Sequence, residues 1–157
     1  MTEREIRVRR VDFTDTQDAT AYLEQLDAYA RDPMGAGQAL PTAVRERLVS
    51  DLGQHPGSYA LLAEIGDTGV GFATCFLGYS TFQARPLLNI HDIAVLPDWR
   101  GRGIARALLD AITGLATSLG CCRLTLEVRS DNPRARRLYR DTGFTAASCD
   151  LFMEKPL

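Results

Sequence analysis

Apolar and basic residues alternate through residues 6–13 as in a half-buried strand, and Thr14 or Asp15 stands ready to cap a following helix. Ala19, Tyr22, Leu23, Leu26, Tyr29 and Ala30 then recur at intervals of three and four, predicting an amphipathic helix that Asp32-Pro33-Met34-Gly35-Ala36-Gly37 breaks as a flexible loop. Val44, Leu48 and Val49 share one face of a short second helix over residues 42–52, stopped by His55-Pro56-Gly57. Residues 59–65 and 70–79 are rich in apolar, β-compatible side chains and are joined by Gly66-Asp67-Thr68-Gly69, which predicts an antiparallel hairpin. A third apolar run, 87–96, ends at Pro97-Asp98. From Ile104 a strong stripe of Leu108, Leu109, Ile112, Leu115, Ala116 and Leu119 predicts a long helix capped by Gly120. Residues 124–128 read as a strand, Asn132-Pro133 as the start of a last helix, and Gly143-Phe144 as the exit to a last strand. The order is β-α-α-β-β-β-α-β-α-β: an α/β chain with a mixed, mostly antiparallel twisted sheet flanked by helices. No repeat or linker divides it, so residues 1–157 are expected to form a single domain.

Charge removes one class of partner. Eighteen Lys and Arg stand against 20 Asp and Glu, and a net charge of −2 offers no general attraction to nucleic acid. Lys155 is the single lysine, a bias that genome composition explains as readily as a need for guanidinium contacts. Cys75, Cys121, Cys122 and Cys149 form no CxxC pair and no Cys/His cluster at zinc spacing, so no metal is expected and buried thiol is the plain reading of the vicinal pair. No apolar run approaches the roughly 20 residues of a membrane span, and the charged start does not resemble a signal peptide. These features predict a cytoplasmic protein with no membrane partner.

The chemistry is concentrated after the strand at residues 90–95, where Pro97-Asp98-Trp99-Arg100-Gly101-Arg102-Gly103-Ile104-Ala105 opens the long helix. Unpaired N–H groups of a first helical turn and the positive end of the helix dipole converge on one spot, and glycines let phosphate oxygens reach the backbone. Arg100 and Arg102 add charge. Glycine-rich turns before helices are common, so the loop alone raises a phosphate site only modestly. No Gly-Lys-Ser/Thr completes a P-loop, and Arg106 stands where a dinucleotide fingerprint needs a third small residue.

Arg100, Gly103 and Ala105 fit the pattern Arg/Gln-x-x-Gly-x-Gly/Ala, and Asn132, Ala135, Leu138, Tyr139, Gly143 and Phe144 fit a second block, Asn-x-x-Ala-x-x-Leu-Tyr followed by Gly-Phe. With both blocks the sequence resembles the GNAT (GCN5-related N-acetyltransferase) superfamily over about residues 88–145. The resemblance implies a GNAT-like fold and acetyl-CoA, or another acyl-CoA, as co-substrate without a metal. Pantetheine would pair with the backbone of Ile93 and Val95 on a bulged strand, like an added strand. The pyrophosphate would rest at Arg100 and on the amides of Gly101, Arg102, Gly103, Ile104 and Ala105. Asn132 would lie beside the pantetheine arm, although capping its own helix accounts for it nearly as well.

The implied reaction transfers an acetyl group to a primary amine of a small molecule or peptide. Tyr139 would serve as general acid toward the CoA sulfur. His91 and Asp92 would be base and amine anchor; strict alternation aims them to opposite faces, and a bulge leaves open which one faces the cleft. The loop at 32–37, its flanking helices and residues 79–86 would line the acceptor cleft, and acidic Asp27 and Asp32 hint at a cationic amine. Arg134, Arg136, Arg137 and Arg140 read best as a solvated helix face. Homodimers are compatible with the resemblance. The competing reading is a catalytically inactive acyl-CoA-binding sensor or scaffold, which would keep the phosphate loop. A nucleic-acid or protein interaction module ranks behind both.

Overall fold

Asp15 begins the first helix as its N-cap: its carboxylate accepts from the amides of Gln17 and Asp18, and helix α1 runs Thr16–Arg31. The computed structural model describes residues 5–149 and 151–157. It divides the chain into two compact units, Met1–Leu126 and Glu127–Leu157.

The first unit holds β1 (Ile6–Arg10), α1, α2 (Thr42–Gln54), β2 (Ser58–Ile65), β3 (Thr68–Ser80), β4 (Arg85–Val95), a single 3₁₀ turn at Pro97–Trp99, α3 (Ile104–Ser118) and β5 (Leu124–Leu126). The strands form one sheet in the order β1-β2-β3-β4-β5. The first three pairings are antiparallel and β4–β5 is parallel, with α3 as the crossover. The mixed, mostly antiparallel sheet flanked by helices is the expected fold class.

Alternation along β2 and β3 splits the core between two faces. On one face Tyr22, Leu52, Ala60, Leu62 and Phe72 pack as a buried cluster against α1 and α2. On the other, α3 buries Ile104, Leu108, Leu109 and Ile112. Close approach on that side depends on Gly71: a Cβ there would stand 2.9 Å from the Ala94 carbonyl oxygen, 3.3 Å from Ile104 Cγ2 and 3.4 Å from Leu108 Cδ1.

Helix α1 also buries polar residues that the apolar stripe does not reveal: Asp18, Gln25 and Asp27, with Glu64 of β2 beside them in burial. Each has partners. Arg9 grips Asp18 with bonds of 2.7 and 2.8 Å and also reaches Glu64, which Arg7 pairs from the other side at 2.6 Å. Gln25 donates to the Gly69 carbonyl at 3.0 Å. The Arg7/Arg9/Asp18/Glu64 network therefore ties β1, β2 and α1 together through charge-assisted bonds.

These contacts give stability a defined pH dependence. Arg9 holds both Asp18 and Glu64 below the ordinary carboxylate range. A depressed folded-state pKa contributes stability above the unfolded value of about 4, and that contribution is lost as pH falls through the lower folded value. Glu64→Gln is expected to lower unfolding free energy at pH 7 by about 1–3 kcal/mol and to flatten its fall below about pH 4. Urea unfolding across that range reads both; an unchanged acid slope would remove the network from the account.

The break at 32–37 carries neither helix nor strand and closes as a hydrogen-bonded turn: Gly35 N–H donates to Asp32 O, and Ala36 and Gln38 N–H both donate to Ala30 O. One sequence expectation changes. The last strand after Gly143-Phe144 does not form among the described residues; 144–149 and 151–157 carry no strand. Leu151, Phe152 and Met153 are 72–85% exposed, and residues 145–149 are small or polar, so this stretch buries too little to offset the entropy of ordering it.

In the second unit α4 spans Pro133–Asp141. Asn132 Oδ1 accepts from Ala135 N–H at 3.1 Å, and Pro133 takes the first helical position. The helix closes with Gly143 N–H on Arg140 O and Phe144 N–H on Tyr139 O.

Candidate active site

Strand β4 does two things at once. Leu96 N–H donates to Val70 O at 2.9 Å, so residues 94 and 92, opposite Phe72 and Thr74, also direct their backbone groups toward β3. The backbone groups of Ile93 and Val95 must then point to the other edge. Strand β5 pairs with that edge only at Leu88, Asn89 and Ile90. Beyond Ile90 the edge is left without a β5 partner, in register to pair with an extended ligand.

This edge runs directly into the glycine loop. Gly101 and Gly103 have φ of 76° and 81°, left-handed values that favour glycine. Gly103 is the N-cap of α3, and no side chain caps the helix there. The Ile104 side chain is 1% exposed and belongs to the core, so only its backbone is left to face a ligand. Ala105 is half-buried. Arg102 lies over the Trp99 ring at 4.8 Å and donates to the Asp98 carbonyl at 3.2 Å.

Arg100 is less free than the sequence suggested. Its Nε donates to the Val95 carbonyl at 3.0 Å and its terminal nitrogen pairs with Asp32 at 2.8 Å. It thereby joins the glycine loop to the C-terminal end of α1. A shallow groove, open to solvent, lies there between Gln25, Tyr29, Asp32, Ala94, Leu96 and Arg100.

The same bonds correct the reading of Asp27 and Asp32 as attractors for a cationic amine. Arg100 holds Asp32 below the usual carboxylate range, with Met34 N–H adding to it. Arg31 does the same for Asp27, aided by Leu40 N–H and by Arg45 at 3.3 Å. Both carboxylates are neutralised from within the fold.

His91 and Asp92 come together where alternation would separate them. Asp92 is opposite Thr74 and Ile90 is opposite Cys75, so His91 is the extra residue of a β-bulge. The exposed His91 ring meets Phe76 edge to face at 5.4 Å, and Phe76 also meets His55 at 5.2 Å. Thr74 and Phe76 are two residues apart on β3 and share a face. The bulge thus brings His91 and Asp92 to the same face, the one covered by α1 and α2. Burial pushes the Asp92 carboxyl above its ordinary range, with His91 and the Thr74 hydroxyl drawing it back.

Behind Asp92, the Tyr22 and Thr74 hydroxyls are 2.7 Å apart and almost wholly buried. Sequence reasoning placed Tyr22 in an apolar stripe and did not single out Thr74 or Phe76. The available signal was Thr74 itself, a lone hydroxyl within Phe72-Ala73-Thr74-Cys75-Phe76. Burial pushes the Cys75 thiol up to about 12, which leaves it inert at neutral pH.

In Glu127–Leu157, Asn132 is seen in its capping role. Tyr139 is half-buried, with its ring 5.7 Å from Phe144. Arg134, Arg136, Arg137 and Arg140 are exposed, as a solvated face predicts. No helix among the described residues is long and apolar enough to cross a membrane, and none of their His, Cys, Asp and Glu side chains group as a metal site.

Comparison with known proteins gives this geometry a family. Thialysine N-epsilon-acetyltransferase of Bos taurus is 33% identical over 99 residues, 58% of this chain and 58% of its own length. The chain therefore spans little more than half the length of such curated relatives. An aminoglycoside N(6')-acetyltransferase type 1 of Stenotrophomonas maltophilia is 27% identical over 115 residues, covering 71% of this chain and 75% of the relative. Among solved structures, an aminoglycoside acetyltransferase from an uncultured soil metagenomic sample, in complex with trehalose, superposes with a TM-score of 0.82 at 20% identity, over 100% of this chain and 99% of its own. AAC(6')-Iy, in complex with a CoA-containing bisubstrate analogue, superposes at 0.80 with 17% identity, over 98% and 99%. These two likenesses speak for the fold. The model of the acetyltransferase (GNAT) family matches residues 23–144, most of the chain including the β4 edge, the glycine loop and α4, and the protein belongs to that family.

Proposed function

We propose that this chain is an N-acetyltransferase, acting as one domain over residues 1–157, that moves the acetyl group of acetyl-CoA to a primary amine of a small molecule or peptide. The observation that carries the reading is the β4 edge at Ile93 and Val95, released from β5 and leading into the uncapped, glycine-led start of α3. Pantetheine pairs with that edge, and the pyrophosphate meets the amides of Gly101 to Ala105, where helix dipole and backbone N–H groups act together. Arg100 contributes by shaping the loop through Val95 and Asp32 as well as by charge. Relatives named for acetylating thialysine and aminoglycosides support amines as the acceptor class.

In the proposed reaction His91 takes the proton of the ammonium, directly or through one water, and Asp92 holds the amine. The freed amine attacks the thioester carbonyl, the attacking nitrogen gives up its extra proton to water, and the tetrahedral intermediate collapses with the C–S bond breaking as Tyr139 gives a proton to the leaving sulfur and regains one from solvent. A thiol pKa near ~8.5 already makes thiolate a fair leaving group, so the Tyr139 contribution is moderate. Tyr139→Phe is expected to lower kcat about tenfold with acetyl-CoA affinity unchanged. Steady-state rates and calorimetry together decide; full activity would leave the tyrosine structural.

The test of the function is a panel of amines with acetyl-CoA, read by release of free thiol, alongside thermal unfolding. At acetyl-CoA a hundredfold above its Kd, stability is expected to rise by about 2.7 kcal/mol, with a matching rise in Tm, while ATP and NAD do markedly less. Binding with no thiol release from any amine would favour the sensor or scaffold reading. No shift with acetyl-CoA would sink both.

A further inference from the structure

The site contains a buried polar chain that the proposed reaction does not use. Tyr22, 1% exposed, is held edge to face by Phe13 at 5.2 Å and by Phe72 at 5.7 Å, so its hydroxyl is fixed against Thr74 at 2.7 Å. Thr74 is 2% exposed and stands directly opposite Asp92 in the β3–β4 ladder, one residue from the bulge. Burial of two hydroxyls in an apolar cluster is costly unless each has a partner.

Proton counting gives the chain a direction. A hydroxyl donates one hydrogen and accepts through two lone pairs. The Tyr22 phenol stays protonated, since burial pushes its pKa up. Either hydroxyl could donate across the 2.7 Å contact; with the phenol as donor to Thr74 Oγ1, the Thr74 hydrogen is left to turn toward the carboxylate across the ladder. With Tyr22 accepting instead, the Thr74 hydrogen would be spent on the phenol and Asp92 would face two lone pairs.

From this geometry we infer that Thr74, oriented by Tyr22, is the positioning residue of Asp92, holding its carboxylate at the bulge in the charged form that a cationic acceptor needs. The inference rests on the acetyltransferase reading. The groups that bear on Asp92 are Tyr22 from α1, Thr74 and Cys75 from β3, and His91 from its own strand. Tyr22 and Cys75 remain protonated at neutral pH, so Asp92 titrates against the imidazole and the Thr74 hydroxyl. Burial favours the neutral acid, and Thr74 acts in the opposite direction.

The inference is tested with Thr74→Val, Thr74→Ser and Tyr22→Phe in the full chain, by two measurements. The first is the pH profile of kcat/KM for an acceptor amine. Thr74→Val is expected to move the acidic limb up by about one pH unit and to lower kcat/KM at neutral pH about tenfold, mainly through amine KM. Thr74→Ser is expected to restore the limb, and Tyr22→Phe to shift it the same way by less. The second is carbon-13 titration of the Asp92 carboxyl, which needs no turnover and reads the same upward shift even if no amine is acetylated. An unmoved Asp92 titration in Thr74→Val overturns the inference whatever the activity. Thr74→Ser as impaired as Thr74→Val would also overturn it, because the residue would then serve packing alone.

Discussion

Gly103→Asp is expected to abolish acetyl-CoA binding while leaving the fold in place. Position 103 has φ +81°, which strains any side chain, but a Cβ built there meets nothing within 4 Å, so the Cβ itself displaces no protein atom. Among residues with a side chain, aspartate tolerates the left-handed region comparatively well. The damage falls on the ligand: a carboxylate at the start of α3 satisfies the first-turn amides itself and repels the pyrophosphate. The loss is at least about a hundredfold in affinity, roughly 3 kcal/mol, from the forfeited helix-terminus interaction together with like-charge repulsion. Gly103→Ala separates the two effects, since it adds the Cβ without charge and is expected to lose less. Calorimetry reads affinity and thermal unfolding reads the fold. Wild-type affinity in the aspartate variant would move the phosphate site elsewhere.

Replacing His91 with alanine is expected to cost about a hundredfold in kcat/KM at neutral pH, within the usual range for a general base. The demand on that base is large. A lysine-like amine near pKa 10.4 is neutral in about one molecule per thousand at pH 7.4, equivalent to roughly 4 kcal/mol. His91 lies at the bulge, exposed and braced by Phe76, while Asp92 beside it is more buried and has a raised carboxyl pKa. Because the His91 side chain draws the Asp92 carboxyl down, His91→Ala is expected to move the acidic limb that Asp92 sets to higher pH. Asp92→Asn is expected mainly to raise amine KM. If rate and profile survive His91→Ala unchanged, proton removal runs through Asp92, a water chain or bulk solvent.

The glycine-led start of α3 could be read directly from the sequence because its signals are local. Gly101 and Gly103 have the positive φ that a glycine-led helix start needs, and Asn132-Pro133 sits at the start of α4 with the expected cap. The α3 stripe was legible for the same reason: helical period and burial agree at Leu108, Leu109, Ile112 and Ala116. Neither Asp27 nor Asp32 could be judged this way. Asp27 draws on Arg31 within its own helix but also on Arg45 and on the Leu40 amide, and Asp32 pairs with Arg100, 68 residues away. The same carboxylates that suggested a cationic substrate turn out to be satisfied by the protein.

The final strand does not form among the described residues: 145–149 after Gly143 are small or polar, and Leu151, Phe152 and Met153 beyond them stay exposed. At the site, one inserted residue decided more than any motif. Side chains alternate along a strand with a period of two, so the bulge at His91 changes which face each neighbour addresses, and it puts His91 and Asp92 on one side. The sequence by itself determined the order of elements from β1 to α4 and the glycine-led start of α3, since propensity, periodicity and capping act over a few residues. Tertiary structure alone decided which carboxylates stay available, where β4 parts from β5, and that Thr74 and Tyr22 stand behind Asp92, because ladder register and buried hydrogen-bond partners join residues dozens of positions apart.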